Sequence, residues 1–138
     1  MKRKGFDLLI RALIMVESGG NDHAIGDRHL AQSAYGPLQI RQPVCDDYNR
    51  AHGTTYRAKD LIGQRELSVK ICRWYVVAYQ PKKHSGRTMT LEEIYARTWN
   101  GGPNGIRKSA TLKYWRKVER ALSEERRLSC AKPSKSSS

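Results

Sequence analysis

The sequence predicts a single, predominantly helical (all-α) domain, and three observations lead to this prediction. Apolar residues recur every three or four positions in several segments, which is the spacing of one face of an α-helix. No segment alternates apolar and polar residues for long enough to predict a strand. Most connecting segments are short, so one helix usually follows another directly. At 138 residues, the chain has the length of one domain with its own core.

The first two helices are separated by a long polar segment. The first helix is predicted over residues 5–17, and a surface loop rich in Gly, Asn, Asp and His follows over residues 20–34. A second helix is predicted to begin at Pro43, a residue favoured in the first turn, and to stop before Gly53. The apolar face of the first helix consists of Phe6, Leu9, Ile10, Leu13 and Ile14.

A third helix is predicted over residues 64–80. Pro81 ends it, because proline cannot continue the helical hydrogen-bond ladder. We expect its aromatic residues Trp74 and Tyr75, like Trp115 further along, to belong to the core, because they lie at helical spacing. The apolar positions of this helix are Leu67, Ile71, Trp74, Tyr75 and Ala78.

The last two helices flank a glycine-rich segment. After a polar loop over residues 82–89, a capping box at Thr90 predicts a fourth helix that runs to about Trp99. Residues 100–105 contain three glycines and a proline, so they are predicted to form a tight loop that cannot continue the helix. A final helix is predicted over residues 110–129, with its inward positions at Leu112, Trp115, Val118 and Leu122.

The chain is strongly basic, with 26 Lys and Arg residues against 13 Asp and Glu residues and a net charge of +13. Such a charge attracts anionic polymers, among them nucleic acid, anionic membrane surfaces and the bacterial cell wall, and does not by itself choose among them. No apolar run approaches the length of a membrane span, so we expect none.

The cysteines and histidines show no spacing typical of a metal site, so we predict no metal and no cofactor. A disulfide between Cys45 and Cys72 is conceivable between two helices. Buried free thiols are the favoured alternative, because the number of cysteines is odd. The residues concerned are Cys45, Cys72, Cys130, His23, His29, His52 and His84.

Glu17 is the first candidate catalytic residue. It lies on the apolar face at the C-terminal end of the first predicted helix, three and four residues after Ile14 and Leu13. Both burial and the negative end of the helix dipole disfavour the carboxylate, so both should raise its pKa. A carboxyl group that stays protonated near neutral pH is what a glycosidase needs as its general acid. The alternative is that Glu17 points to water from a fraying last turn.

Three segments together resemble the motifs of soluble lytic transglycosylases (the SLT type of the lysozyme-like superfamily), and goose-type lysozymes are similar. The segments are Glu17-Ser18-Gly19-Gly20, Gly36-Pro37-Leu38-Gln39-Ile40, and Trp99-Asn100-Gly101-Gly102-Pro103 followed by Tyr114-Trp115-Arg116-Lys117-Val118. The resemblance covers roughly residues 6–120. It implies a lysozyme-like domain over residues 1–130, with the active-site cleft between helices. Residues 131–138, rich in Ser and Lys, would form a disordered tail.

The resemblance implies a role for each matched position. Glu17 would be the catalytic acid that protonates the oxygen between N-acetylmuramic acid and N-acetylglucosamine, and Ser18 would be its companion hydroxyl. Gly36 would let the backbone approach the cleft, and the Gln39 amide would hydrogen-bond the substrate or the acid. The alternatives are that Gly36 only turns the chain and that Gln39 is a solvated polar residue.

In the third segment, the resemblance implies that Asn100 braces a loop and that Gly101 and its neighbour Gly102 leave room for a sugar. Asn100 could also be a helix C-cap. The family's usual tyrosine before this asparagine is replaced here by Trp99, so the role of a phenol hydroxyl is in doubt, and Tyr35 could substitute for it. The aromatic residues that could stack on sugar rings are Tyr35, Tyr48, Trp99 and Tyr114.

Two reaction types fit these motifs. A lytic transglycosylase needs only Glu17, which first donates a proton and then takes one from the C6 hydroxyl, leaving a 1,6-anhydro ring. An inverting muramidase needs a second carboxylate roughly 6.5–9.5 Å from the acid, and Asp22 and Asp27 in the loop after Glu17 are the candidates. We favour transglycosylation, because loop aspartates more often make turns or face solvent. A non-catalytic basic domain that binds glycan or nucleic acid is the remaining alternative.

The expected partners are peptidoglycan glycan strands and, through the positive charge, anionic wall polymers. We expect no specific nucleic acid and a monomeric protein. The site of action would be the bacterial cell wall. Asp7 and Arg11 interrupt the apolar stretch after the basic start, so no clear signal peptide is recognised. Phage-type lysis or virion release, or an envelope enzyme without its leader, are therefore the expected settings.

Overall fold

A computed structural model describes residues 1–82 and 88–131 of the chain. Within these residues there are five α-helices and one two-stranded antiparallel hairpin, so the prediction of a predominantly helical fold is confirmed. The central five residues of the predicted loop at 82–89, and all of the predicted tail except Ala131, lie outside the described residues. The elements are α1 (Arg3–Ser18), β1 (Ile25–Gly26), β2 (Ala34–Tyr35), α2 (Gln42–His52), α3 (Arg65–Tyr79), α4 (Leu91–Gly101) and α5 (Ser109–Ala131), with short 3-10 helices at Ala58–Leu61 and Gly105–Arg107.

Two helices end where glycine allows a left-handed backbone. Helix α1 ends at Gly19, with φ 65°, and α2 ends at Gly53, with φ 67°. In each case the glycine N–H bonds back to a carbonyl of the last turn, which satisfies one of the free acceptors there. Because α1 stops at this point, Glu17 lies in its last turn.

Helix α4 runs further than the sequence predicted. It continues through Asn100 and Gly101 and is capped by Gly102, with φ 80°. The prediction that the glycine-rich segment cannot continue the helix is therefore wrong for its first two residues, and Asn100 is not the C-cap. Packing explains the difference, because a Cβ on Gly101 would lie only 2.5 Å from the Cγ2 of Thr111. A glycine in the last turn thus allows α4 and α5 to approach closely.

The core lies between α1, α4 and α5, and α3 packs against α4 and α2 at its side. Trp115 is buried as predicted, but Leu112 is exposed, and Thr111 takes the inward position at the start of α5. Trp74 is only half-buried, at the edge of an aromatic group that includes Tyr48 and Tyr79. The fully buried core includes Leu9, Leu13, Leu38, Ile40, Leu61, Ile71, Val76, Ile94, Val118 and Leu122.

The hairpin folds the segment after α1 back on itself. Ile25 pairs with Tyr35 and Gly26 with Ala34, and Tyr35 also forms a bridge with Ile40. Strands of two residues are too short to produce a visible alternation of polar and apolar residues. All of the hairpin except Tyr35 therefore lies within the segment that the sequence indicated as a loop.

Arg97 is a buried cation that joins α4 to the start of α5. Its Nε donates to the hydroxyl of Thr111 (3.0 Å), its Nη1 to the carboxylate of Glu93 (2.8 Å), and its Nη2 to the carbonyl of Ile106 (3.0 Å). This network fixes the connection between the two helices, and it thereby sets the positions of the end of α4 and of Tyr114 on α5.

The three cysteines are free: Cys45 and Cys72 are buried and Cys130 is exposed. The disulfide considered between Cys45 and Cys72 is therefore not formed.

Candidate active site

A cleft of about 540 Å³ lies at the C-terminal ends of α1 and α4. The hairpin and the start of α2 form its opposite wall. A cleft of this size can accept a sugar-sized ligand. Among the residues that line it are Glu17, Asp27, Gln39, Arg41, Trp99 and Asn100.

Glu17 is the half-buried carboxyl group of this cleft. Its pKa is raised to about 7, and burial is the largest cause, because removal from water penalises the charged form. Hydrogen bonding from Tyr114 and from Trp99 opposes this effect, but it is the smaller contribution. At neutral pH the protonated and ionised forms are therefore both populated.

Tyr114 holds the Glu17 side chain in place. Its hydroxyl donates a hydrogen bond of 2.9 Å to Oε2 of Glu17, which joins α5 to the end of α1. Tyr114 itself is 8% exposed, and Cys72 beside it is fully buried. Burial raises the pKa values of both groups, and the charge of Glu17 adds to this effect. The two buried groups beside Glu17, Tyr114 and Cys72, are therefore uncharged at neutral pH.

Asp27 is the second carboxyl group of the cleft. It forms an ion pair with Arg41, whose other guanidinium nitrogen donates to the carbonyl of Gln32 (2.7 Å). Asp27 also has a positive φ of 54°, which directs the chain sharply after β1. The charges of Arg41 and Asp27 both affect the pKa of Glu17. Arg41 lowers this pKa and Asp27 raises it, and each effect is smaller than that of burial.

Asp22, the other predicted second carboxylate, does not line this cleft. Its side chain accepts a hydrogen bond of 2.7 Å from Nε of Arg65, and its backbone carbonyl accepts one from the N–H of Gly63. Asp22 therefore ties the loop after α1 to the start of α3. Of the two aspartates, the structure brings only Asp27 together with Glu17.

Gln39 lines the cleft, but its amide nitrogen is occupied by the protein backbone. Nε2 donates to the carbonyls of Ala24 (3.3 Å) and Gly36 (3.0 Å), and the residue has a positive φ of 52°. A Cβ on Gly26 would clash with Oε1 of Gln39, so this side chain packs tightly under β1. The geometry indicates that Gln39 braces the hairpin wall. It donates to the backbone and not to Glu17.

Gly36 and Ser18 lie behind the cleft wall. Gly36 has φ 79°, and a Cβ there would lie 2.6 Å from the carbonyl oxygen of Leu61. It therefore allows a close approach to the 3-10 helix, not to the cleft. The hydroxyl of Ser18 donates to the carbonyl of Ile14 (3.2 Å), which occupies it within α1.

The end of α4 forms the aromatic side of the cleft. Trp99 and Asn100 line it together with Tyr75 of α3, and the rings of Trp99 and Tyr75 meet edge to face at 5.6 Å. Gly102, not Gly101, lines this wall, and its φ of 80° is a conformation that residues with a side chain rarely adopt. Gly101 instead faces α5.

The remaining predicted aromatic residues lie elsewhere. Tyr35 lines a second cavity, so it does not take the place of the phenol hydroxyl that Trp99 lacks. The phenol hydroxyl that contacts Glu17 belongs to Tyr114. Tyr48 is 3% exposed and stacks on His52 at 3.9 Å, so it is a core residue without a free face for a sugar.

Sequence reasoning missed three features of the site. Arg41 follows directly after the second matched segment, so the sequence could have indicated it as a residue of the site. Its pairing with Asp27, however, depends on the hairpin. Tyr75 has the helical spacing of a core residue, and nothing in the sequence around it indicates that the edge of its ring reaches the cleft. The hydrogen bond from Tyr114 to Glu17 spans 97 positions and has no local signature.

The described residues contain no group of three His, Cys, Asp or Glu side chains arranged to hold a metal ion. Over the same part of the chain, none of the helices is both long and apolar enough to cross a membrane.

The chain matches no protein-family profile and no curated protein. Solved structures are similar to it. A chain of the crystal structure of Aeromonas hydrophila PliI in complex with Meretrix lusoria lysozyme is 21% identical, with a TM-score of 0.65, and the match covers 87% of this chain and 89% of that one. The lysozyme of Tapes japonica is 26% identical, with a TM-score of 0.60, and the match covers 80% of this chain and 85% of that one. The chain therefore has a lysozyme-like fold.

Proposed function

We propose that this protein cleaves the β-1,4 bond between N-acetylmuramic acid and N-acetylglucosamine in peptidoglycan, with Glu17 as general acid. The observation that carries the proposal is the Glu17 carboxyl group, whose pKa is raised to about 7 in a sugar-sized cleft. A general acid works best when its pKa lies near the working pH. The similarity to a lysozyme structure supports this reaction class.

The first step is the same for both reaction types. The Glu17 proton passes to the glycosidic oxygen, the C1–O bond breaks, and its electron pair stays on the departing sugar. Glu17 becomes a carboxylate, and Tyr114 stabilises this charge because its hydroxyl donates to Oε2. Positive charge develops at C1 of the other sugar.

For the second step we favour hydrolysis over transglycosylation, which was preferred from the sequence because loop aspartates more often make turns or face solvent. Asp27 lines the same cleft as Glu17, so a carboxylate is available to stabilise the positive sugar or to activate a water molecule. Arg41 holds that carboxylate in place through the ion pair. Water then adds to C1 and gives its proton to Asp27 or, where Asp27 only stabilises the positive sugar, to the Glu17 carboxylate, so that the product has a reducing end.

Transglycosylation is the second candidate, and the Asp27–Arg41 ion pair is the observation in its favour. If Arg41 occupies Asp27 throughout the reaction, Glu17 is the single working carboxyl group. The C6 hydroxyl then attacks C1, its proton passes to Glu17, and a 1,6-anhydro ring closes without consuming water.

Digestion of purified peptidoglycan, followed by mass spectrometry of the muropeptides, tests both candidates. Reducing ends indicate hydrolysis, and products one water lighter indicate transglycosylation. Glu17→Gln should reduce the rate by roughly 10²- to 10⁴-fold; an unchanged rate would refute the proposed function. Asp27→Asn should reduce the rate strongly for a hydrolase and leave the formation of anhydro products largely intact for a transglycosylase.

The setting that we propose for this activity is the bacterial cell wall. The net charge of +13 supports this setting, because peptidoglycan carries peptide carboxylates and is often linked to anionic polymers. Raising the salt concentration should therefore weaken binding to whole cell walls.

A further inference from the structure

A second cavity of about 390 Å³ lies beside the cleft, and the proposed function does not use it. It is bounded by the segment before and within β2, by the start of α2 and by the 3-10 helix Ala58–Leu61. Polar and cationic side chains dominate its lining: Gln32, Ser33, Tyr35, Gln42, Arg57 and Lys59.

One thin wall separates this cavity from the cleft. Ala34 lines the cleft, whereas its neighbours Ser33 and Tyr35 line the second cavity. In the same way, Arg41 lines the cleft and the next residue, Gln42, lines the second cavity. Arg41 also donates to the backbone carbonyl of Gln32, which lies on the cavity side (2.7 Å). The two cavities therefore lie on opposite sides of one short wall, and a chain branching from a ligand in the cleft would have to pass around the edge of that wall.

The charge of the second cavity is positive. Arg57 and Lys59 line it, and none of the described residues that line it is a carboxylate. Asp60 lies 3.9 Å from Nε of Arg57 and partly offsets that cation, whereas Lys59 forms no ion pair with any described residue. The cavity therefore fits an anionic group.

The segment that carries the two cations is held firmly. The backbone N–H between them, at Ala58, donates to Oε1 of Gln42 (2.8 Å). At the other end of the same 3-10 helix, the carbonyl of Leu61 lies against Gly36 of the hairpin. The backbone that carries both cations is thus fixed, whereas the two side chains themselves are exposed to solvent.

We propose that this second cavity binds a carboxylate of the peptide stem of the glycan strand that lies in the cleft, through Arg57 and Lys59. The proposal rests on the proposed function. N-acetylmuramic acid carries its peptide on a lactyl ether, so a stem leaves the strand at every second sugar, and stems contain free carboxylates. A stem carboxylate is favoured over the phosphate of a wall polymer because the stem is attached to the very sugar that the cleft would hold.

The test compares two substrates: peptidoglycan that carries its stems, and the same glycan after an amidase has removed them. The parent protein should have the lower KM on the stem-bearing glycan. The double variant Arg57→Ala/Lys59→Ala should raise that KM by roughly three- to tenfold, as expected for two exposed ion pairs. Its kcat should change little, and its KM on the stem-free glycan should equal that of the parent.

The matched control is Arg116→Ala/Lys117→Ala, which removes the same charge from the exposed face of α5. An equal rise in KM for both double variants would show a general charge effect and overturn the proposal, as would an equal rise on both substrates. A rise that disappears once wall phosphates are stripped, with the stems retained, would identify phosphate as the ligand and also overturn it. A parent that cuts neither glycan would refute the proposed function itself, whereas a parent equally active on both refutes only the stem site.

Discussion

Replacing Glu17 with glutamine should stabilise the protein at alkaline pH and have no such effect in acid. The pKa of Glu17 is raised from 4.5 to about 7 in the folded protein, mainly by burial. The folded protein therefore binds this proton more tightly than the unfolded chain does. As a result, the contribution of Glu17 to stability falls as the pH rises from about 4.5 to about 7, and above that range the full penalty remains.

The size of the effect follows from the shift. One pKa unit corresponds to about 1.4 kcal/mol, so the rise to about 7 sets an upper value of about 3 kcal/mol. Because Glu17 is only half-buried, we expect about 1–3 kcal/mol at pH 8. Glutamine keeps the shape of the side chain and can still accept the hydrogen bond from Tyr114, so the change removes the charge with little loss of packing.

The assay is urea unfolding of the parent and of Glu17→Gln at several pH values from 4 to 9. The quantity that matters is the difference in unfolding free energy between the two proteins, because other titrating groups affect both alike. Glu119→Gln on the exposed face of α5 is the matched control. A difference that stays constant over this pH range, or a variant that is less stable than the parent at pH 8, would refute the reasoning about a buried carboxyl group.

Three further predictions concern residues that support the site. Tyr114→Phe removes a hydrogen bond that lowers the pKa of Glu17, so this pKa should rise, the alkaline limb of the pH–rate profile of kcat/KM should move to higher pH, and kcat should fall. Gly36→Ala should cost about 2 kcal/mol or more in urea unfolding, because the added Cβ meets the carbonyl of Leu61 at 2.6 Å and the φ of 79° is strained. Arg97→Met should cost about 3–5 kcal/mol, because it breaks a buried ion pair and leaves carbonyls without their donor.

A specific result would contradict each of these three predictions. An unchanged pH profile in Tyr114→Phe would mean that the hydroxyl does not set the Glu17 pKa. A stable Gly36→Ala would mean that the hairpin can move away from the 3-10 helix, and Gly53→Ala is the comparison, because it shares the positive φ but has open space around its Cβ. Arg107→Met is the control for Arg97, since it removes an exposed arginine from the same connection.

The helices of this protein could be predicted because their signals are local. Apolar spacing, the proline in the first turn of α2 and the glycines after α1 and α2 act within a few residues. The prediction failed at the end of α4, where Gly101 stays helical because it packs against Thr111. That contact joins residues from two helices, and a rule based on neighbouring residues does not include it.

The sequence by itself determined that Glu17 is a carboxyl group on an apolar helix face, and from this the direction of its pKa shift. Only the tertiary structure decided which groups surround it: Tyr114 as its donor, Asp27 but not Asp22 as its companion in the cleft, and Arg41 as the partner of Asp27. The physical reason is the reach of each effect. Burial of a helix face follows from periodicity along a few turns, whereas these hydrogen bonds and ion pairs join residues that are 14 to 97 positions apart and form only once the helices have packed.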